Sequence, residues 1–86
     1  MGSSLGDAVA GFELDPREAD AFVRGMAPRQ ELVYRLAIRG MCARCRGDRQ
    51  FTQRTDALIE QFRKELPAVL REANKLGEEL TAAVKR

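Results

Sequence analysis

The sequence predicts an all-α protein: two short N-terminal helices and one long C-terminal heptad-patterned helix, completed as a helical bundle by self-association. Three observations carry this. No stretch alternates apolar and polar residues with the period of two that a half-buried strand requires. Two helix starts stand in the first third of the chain, at "LDPRE" (14–18) and at "AP" (27–28). From residue 59 onward, Ile59, Phe62, Leu66, Val69, Ala73, Leu76, Leu80 and Ala83 are spaced 3, 4, 3, 4, 3, 4 and 3 apart, an unbroken heptad register.

The elements follow in order. Asp15 supplies an N-cap, Pro16 fits the first helical position, and Glu18 completes a capping box. The stripe Ala19, Phe22, Val23 and Met26 then predicts a short helix from about 15 to 26, ended by Gly25 and the "AP" pair. Pro28 opens the second helix, in which Leu32, Val33, Leu36, Ala37 and Gly40 share a face. Tyr34, Ile38, Met41 and Cys45 add a second apolar strip, so more than one neighbour must cover this helix. "RGD" at 46–48 is a turn signal. Residues 1–13 are expected to be a flexible N-terminus of a single domain, 1–86.

The third helix bears on assembly. Run from about 52 to 86 it spans on the order of 50 Å, against roughly 27 Å for the second helix. A single chain then leaves part of its heptad stripe uncovered, and a second copy is expected to cover it through Ile59, Phe62, Leu66, Val69, Leu76 and Leu80. The competing arrangement breaks this helix at Pro67, near Arg63, and folds the pieces back as a compact bundle.

Composition limits the function classes. With 33% charged and 44% apolar residues the chain is globular rather than disordered. No run approaches the ~20 apolar residues of a membrane span, and the N-terminus lacks a basic, apolar signal pattern; a cytoplasmic protein with no membrane contact is expected. There is no histidine, no Ser–His or Cys–His arrangement, and no glycine-rich phosphate loop after a strand, so an enzyme is not expected. Charge is segregated. Residues 1–34 hold six acids and three arginines, and residues 55–86 hold six of each sign. Residues 35–54 hold Arg35, Arg39, Arg44, Arg46, Arg49 and Arg54 against Asp48 alone.

"MCARCRGDR" (41–49) places two cysteines inside that basic belt. Three readings stand side by side. Both thiols can be small buried hydrophobes at the end of helix two. They can be a redox pair, since flanking arginines favour thiolate. They can be half of a zinc site, since C-x-x-C followed by glycine lets two thiolates reach one metal at ~2.3 Å. Zinc takes four ligands, and two chains would supply four cysteines. In this the segment Cys42 to Cys45, between helical flanks, resembles the zinc hook, without the hook's proline between the cysteines. The resemblance implies one zinc shared between Cys42 and Cys45 of two chains.

The belt has two readings as well. It can be a solvated face that offsets acids elsewhere, or it can contact nucleic-acid phosphates, with Tyr34 or Phe51 as stacking partners. The function expected from these features is that of a small helical adaptor or regulator, acting through binding another protein and through homo-oligomerisation. A nucleic-acid-binding regulator using Arg35 to Arg54 is the alternative.

Overall fold

Asp15 opens the first helix as its spacing predicts: its side chain accepts from the Arg17 amide, and Pro16 fills the first position of α1 (Pro16–Arg24). The computed structural model describes residues 14–85, with side chains described as far as Ala83. The expected flexible segment 1–13 lies outside the described residues. Among the described residues the chain is all-α, with no strand. After α1 come α2 (Pro28–Met41), α3 (Ala43–Gly47), α4 (Arg49–Gln61), a 3-10 turn (Arg63–Glu65) and α5 (Leu66–Lys85).

Two predicted helices are each divided in the structure. Helix two ends at Met41, because Cys42 adopts an extended conformation (φ −114°, ψ 109°) and restarts the chain as the N-cap of α3. The expected long helix from about 52 to 86 is broken after Gln61, at Phe62 (φ −109°, ψ 30°) and the 3-10 turn. Pro67 is the cause. In a continuous helix its ring would clash with the Arg63 carbonyl and its missing N–H would leave that carbonyl unpaired. As the second residue of a new helix it meets neither cost. Asp48 acts as the N-cap of α4, its carboxylate accepting from the Phe51 amide at 2.8 Å.

Helix α2 is the hub, covered on more than one side as its two apolar strips require. Its widest contact is with α5. There Leu32 and Val33 bury against Leu58 of α4 and Val69 and Ala73 of α5, flanked by Leu36, Ile59, Phe62 and Leu76. A second cluster joins Ile38, Cys42, Cys45 and Phe51 to Ala19 and Val23 of α1. The heptad stripe is therefore partly satisfied within the chain, by α2. On the surface Arg29, at the start of α2, donates to Glu65 at 2.9 Å and bidentately to Glu72 at 2.9 and 2.7 Å.

Two substitutions test this packing. Leu58 is 2% exposed between α2 and α5, so Leu58→Ala should lower unfolding stability by about 2–5 kcal/mol, read as a shifted denaturant midpoint. Gly77 lies inside α5, and a Cβ there meets nothing within 4 Å. Gly77→Ala should therefore raise stability by about 0.5–1 kcal/mol through helix propensity. A loss instead would mean that another chain packs against that glycine.

Candidate functional site

The two cysteines meet at the junction of α2 and α3. Cys42, as N-cap of α3, turns its sulfur toward the first helical turn and accepts the Cys45 amide at 3.2 Å. The same Sγ accepts the Leu14 amide at 3.3 Å and donates to the Leu14 carbonyl at 3.6 Å. The Cys45 thiol reaches that carbonyl at 4.0 Å. Both are free thiols and both are fully buried. Burial pushes the Cys42 thiol up, but the Cys45 thiol and the amides of Leu14, Cys45 and Arg44 outweigh it and bring Cys42 below the ordinary thiol range. Cys45, buried and facing Cys42, is pushed up to about 12. Of the two, Cys42 is the sulfur that ionises first.

No third ligand stands beside this pair: no group of three or more His, Cys, Asp or Glu residues converges among the described residues. In the single chain Cys42 and Cys45 lie beneath the Leu14 peptide.

The basic belt is split by the fold. Arg35 is fully enclosed: its Nε donates to Glu31 Oε2 at 2.7 Å and its Nη2 to Asp20 Oδ1 at 2.6 Å. Its Cζ lies 4.9 Å from the Phe51 ring centroid, a cation–π contact. Glu31, 1% exposed, also takes both Nε and Nη2 of Arg54, each at 2.9 Å. Asp20 in turn accepts from Arg24 Nε at 2.6 Å. The chain Arg24–Asp20–Arg35–Glu31–Arg54 thus laces α1, α2 and α4. Arg35 Nη1 is left without a hydrogen-bond partner.

Arg35 therefore faces inward and Arg54, half-exposed, reaches in to Glu31; both are taken up by acids, where the sequence places them with the phosphate-contacting group. Arg39 stands 3.6 Å from Asp56, and Arg46 donates to the Arg39 carbonyl at 2.7 Å. Arg44 and Arg49 are exposed, with no ion pair among the described residues. Sequence reasoning missed Glu31 and Asp20. The signal for the first was present, since Glu31 and Arg35 stand four apart, one helical turn, on an apolar helix.

The predicted oligomerisation residues also divide. Val69 is 0% exposed in the chain's own core, and Ile59, Phe62 and Leu76 pack against the same cluster. Leu66, at the start of α5, is half-buried; beyond buried Val69 and Ala73, Leu76 and Leu80 are half-buried and Ala83 is exposed, so cover fades toward the end of α5. Leu80 helps line an apolar groove of about 450 Å³ with Leu14, Phe22, Tyr34, Ile38 and Met41. Phe22 is 65% exposed there and meets Tyr34 edge-on, ring centroids 6.3 Å apart.

The charge lattice sets a pH dependence. The Arg54 guanidinium, opposed by burial and joined by Arg35, holds Glu31 below the usual carboxylate range. Burial raises Asp20, but Arg24 and Arg35 outweigh it and hold it low as well. A lowered carboxylate binds its proton less readily folded than unfolded. Stability should be full above the ordinary carboxylate value near ~4 and fall as acid carries the pH down through the folded values. A thermal-melt series from neutral to acid pH checks this, and Glu31→Gln should both flatten its acid limb and lower stability at neutral pH, leaving Asp20 as the one carboxylate on Arg35.

No protein family, curated protein or solved structure matches this chain.

Proposed function

We propose that this protein is a small helical adaptor that works by binding another protein and by pairing with a second copy of itself. The observation that supports this is the fading cover of the α5 stripe. It runs from buried Val69 and Ala73 to half-buried Leu80, where it meets the groove beneath the exposed Phe22. Contiguous apolar surface of this kind marks an interaction site. A second copy is the occupant the patch fits, because a two-fold dimer sets one patch against itself. A chain of 86 residues also has a small core of its own and gains one by pairing.

Sedimentation and native mass spectrometry test this reading. Phe22→Ser with Leu80→Ser should convert a dimer to a monomer while helix content holds, since Phe22 is exposed within one chain. Wild-type protein that stays monomeric up to roughly hundreds of micromolar would end the dimer reading.

One observation favours a second reading, nucleic-acid binding. Arg44, Arg46 and Arg49 are all exposed around the short helix α3, with Arg39 partly exposed beside them. Binding to duplex DNA should then fall with salt at a log–log slope near −0.9 per phosphate contact, and neutralising Arg44, Arg46 and Arg49 should flatten it. Absence of binding at low salt retires this reading.

A further inference from the structure

Neither the charge lattice nor the groove makes use of the two thiols, and their setting is specific. Cys42 is the N-cap of α3 and Cys45 lies in its first turn, so Ala43 and Arg44 form the bend that brings both side chains to one place. Both sulfurs lie within 4.0 Å of a single atom, the Leu14 carbonyl oxygen, to which each thiol donates. The Leu14 amide returns a bond to Cys42 at 3.3 Å. The dithiol therefore holds the last residue before α1's cap across the α2–α3 junction, through two bonds that need S–H groups and one that the Cys42 sulfur accepts.

We propose that Cys42 and Cys45 are a reversible dithiol–disulfide pair, Cys42 attacking and Cys45 resolving, whose closure releases the Leu14 peptide from the α2–α3 junction. The oxidant class is a hydroperoxide, with hydrogen peroxide the member small enough for a buried pair. The Cys42 thiolate attacks a peroxide oxygen and the O–O bond breaks. The departing hydroxide takes up the proton that Cys42 released and leaves as water, and Cys42 becomes a sulfenic acid. The Cys45 sulfur then attacks the Cys42 sulfur; the S–S bond forms, the S–O bond breaks, and hydroxide leaves with the Cys45 proton as a second water. Two thiols are oxidised and one peroxide is reduced.

The roles follow from position. Cys42 collects two amide N–H groups, from Leu14 and Cys45, which favour a thiolate. Cys45 sits one turn further in and keeps its proton until the second step. Closure removes both S–H donors, so the Leu14 carbonyl loses both thiol partners at once, and its amide faces a sulfur that can no longer be charged. A partly buried carbonyl stripped of its donors is better satisfied by water, and the Leu14 amide is left with only a weak, uncharged sulfur acceptor to hold it in place. Leu14 also lines the groove beside Phe22 and Leu80, so its release alters that groove's wall. This last coupling rests on the dimer reading; the disulfide and the released peptide do not.

The test treats the folded wild-type chain with hydrogen peroxide and follows thiol content and intact mass. The expected result is joint loss of both thiols with two hydrogens, reversed by dithiothreitol. Cys45→Ser should stop at a Cys42 sulfenic acid captured by dimedone, and Cys42→Ser should stay unreacted at the same dose. Amide hydrogen exchange should show the Leu14 N–H exchanging about tenfold or more faster in the oxidised wild type than in the reduced form. Thiols that remain intact in folded protein after peroxide would overturn the pair. A disulfide that forms while Leu14 keeps its protection would overturn the release. Both readouts use a single chain, so a failed dimer leaves them standing.

Discussion

The buried pair of Glu31 and Arg35 is the constraint around which the helices are arranged. Two charges taken from water cost several kcal/mol each, and only close, multiply bonded partners recover it. Arg35 meets that condition with Glu31 on its own helix and Asp20 on α1, and Glu31 meets it with Arg54 on α4. The bond to Asp20 fixes α1 against α2, and the bonds from Arg54 fix α4. Apolar contact alone would let α1 and α4 slide; directional bonds to enclosed charges give one register. That is the use of buried ions best supported by physical argument, specificity rather than net stabilisation.

The functional features hang from this frame. With α1 and α4 tied to α2 by these bonds, α5 packs against α2 and the Leu58 side of α4, and its stripe is covered there while Ala83 is exposed. The groove under Phe22 lies where α1, α2 and the end of α5 meet. The thiol pair sits where α2 gives way to α3, against the residue that leads into α1. Adaptor, dimer and dithiol readings thus concern neighbouring parts of one end of the molecule, which share Leu14 and Met41 or the residues next to them.

Local signals in the sequence were legible because their physics is local. Asp15, Pro16, Pro28 and Pro67 act within a turn of themselves, so helix starts and the break near Arg63 could be read from spacing. The second apolar strip of α2 likewise required several neighbours. The division at Cys42 was not legible, because it depends on a thiol cap and on the Leu14 peptide, far away in sequence. The same holds for the arginines. Six of them form one belt along the chain, yet Arg35 is drawn inward to Asp20 of α1, and the half-exposed Arg54 is engaged by Glu31 of α2. The heptad register is real as a pattern, but α2 of the same chain occupies much of it.

Arg29 carries a different consequence. It joins the start of α2 to Glu65 in the 3-10 turn and to Glu72 in α5, thereby bracing the chain on either side of Pro67. These partners are exposed, so dissolved ions screen them, while the enclosed Glu31–Arg35 contact is shielded. The α1–α2–α4 unit and the α2–α5 seam therefore answer to different features of the medium. Ionic strength weakens the brace at the break and leaves the lacing among the other helices intact, so at high salt the α2–α5 seam rests on its buried apolar contacts.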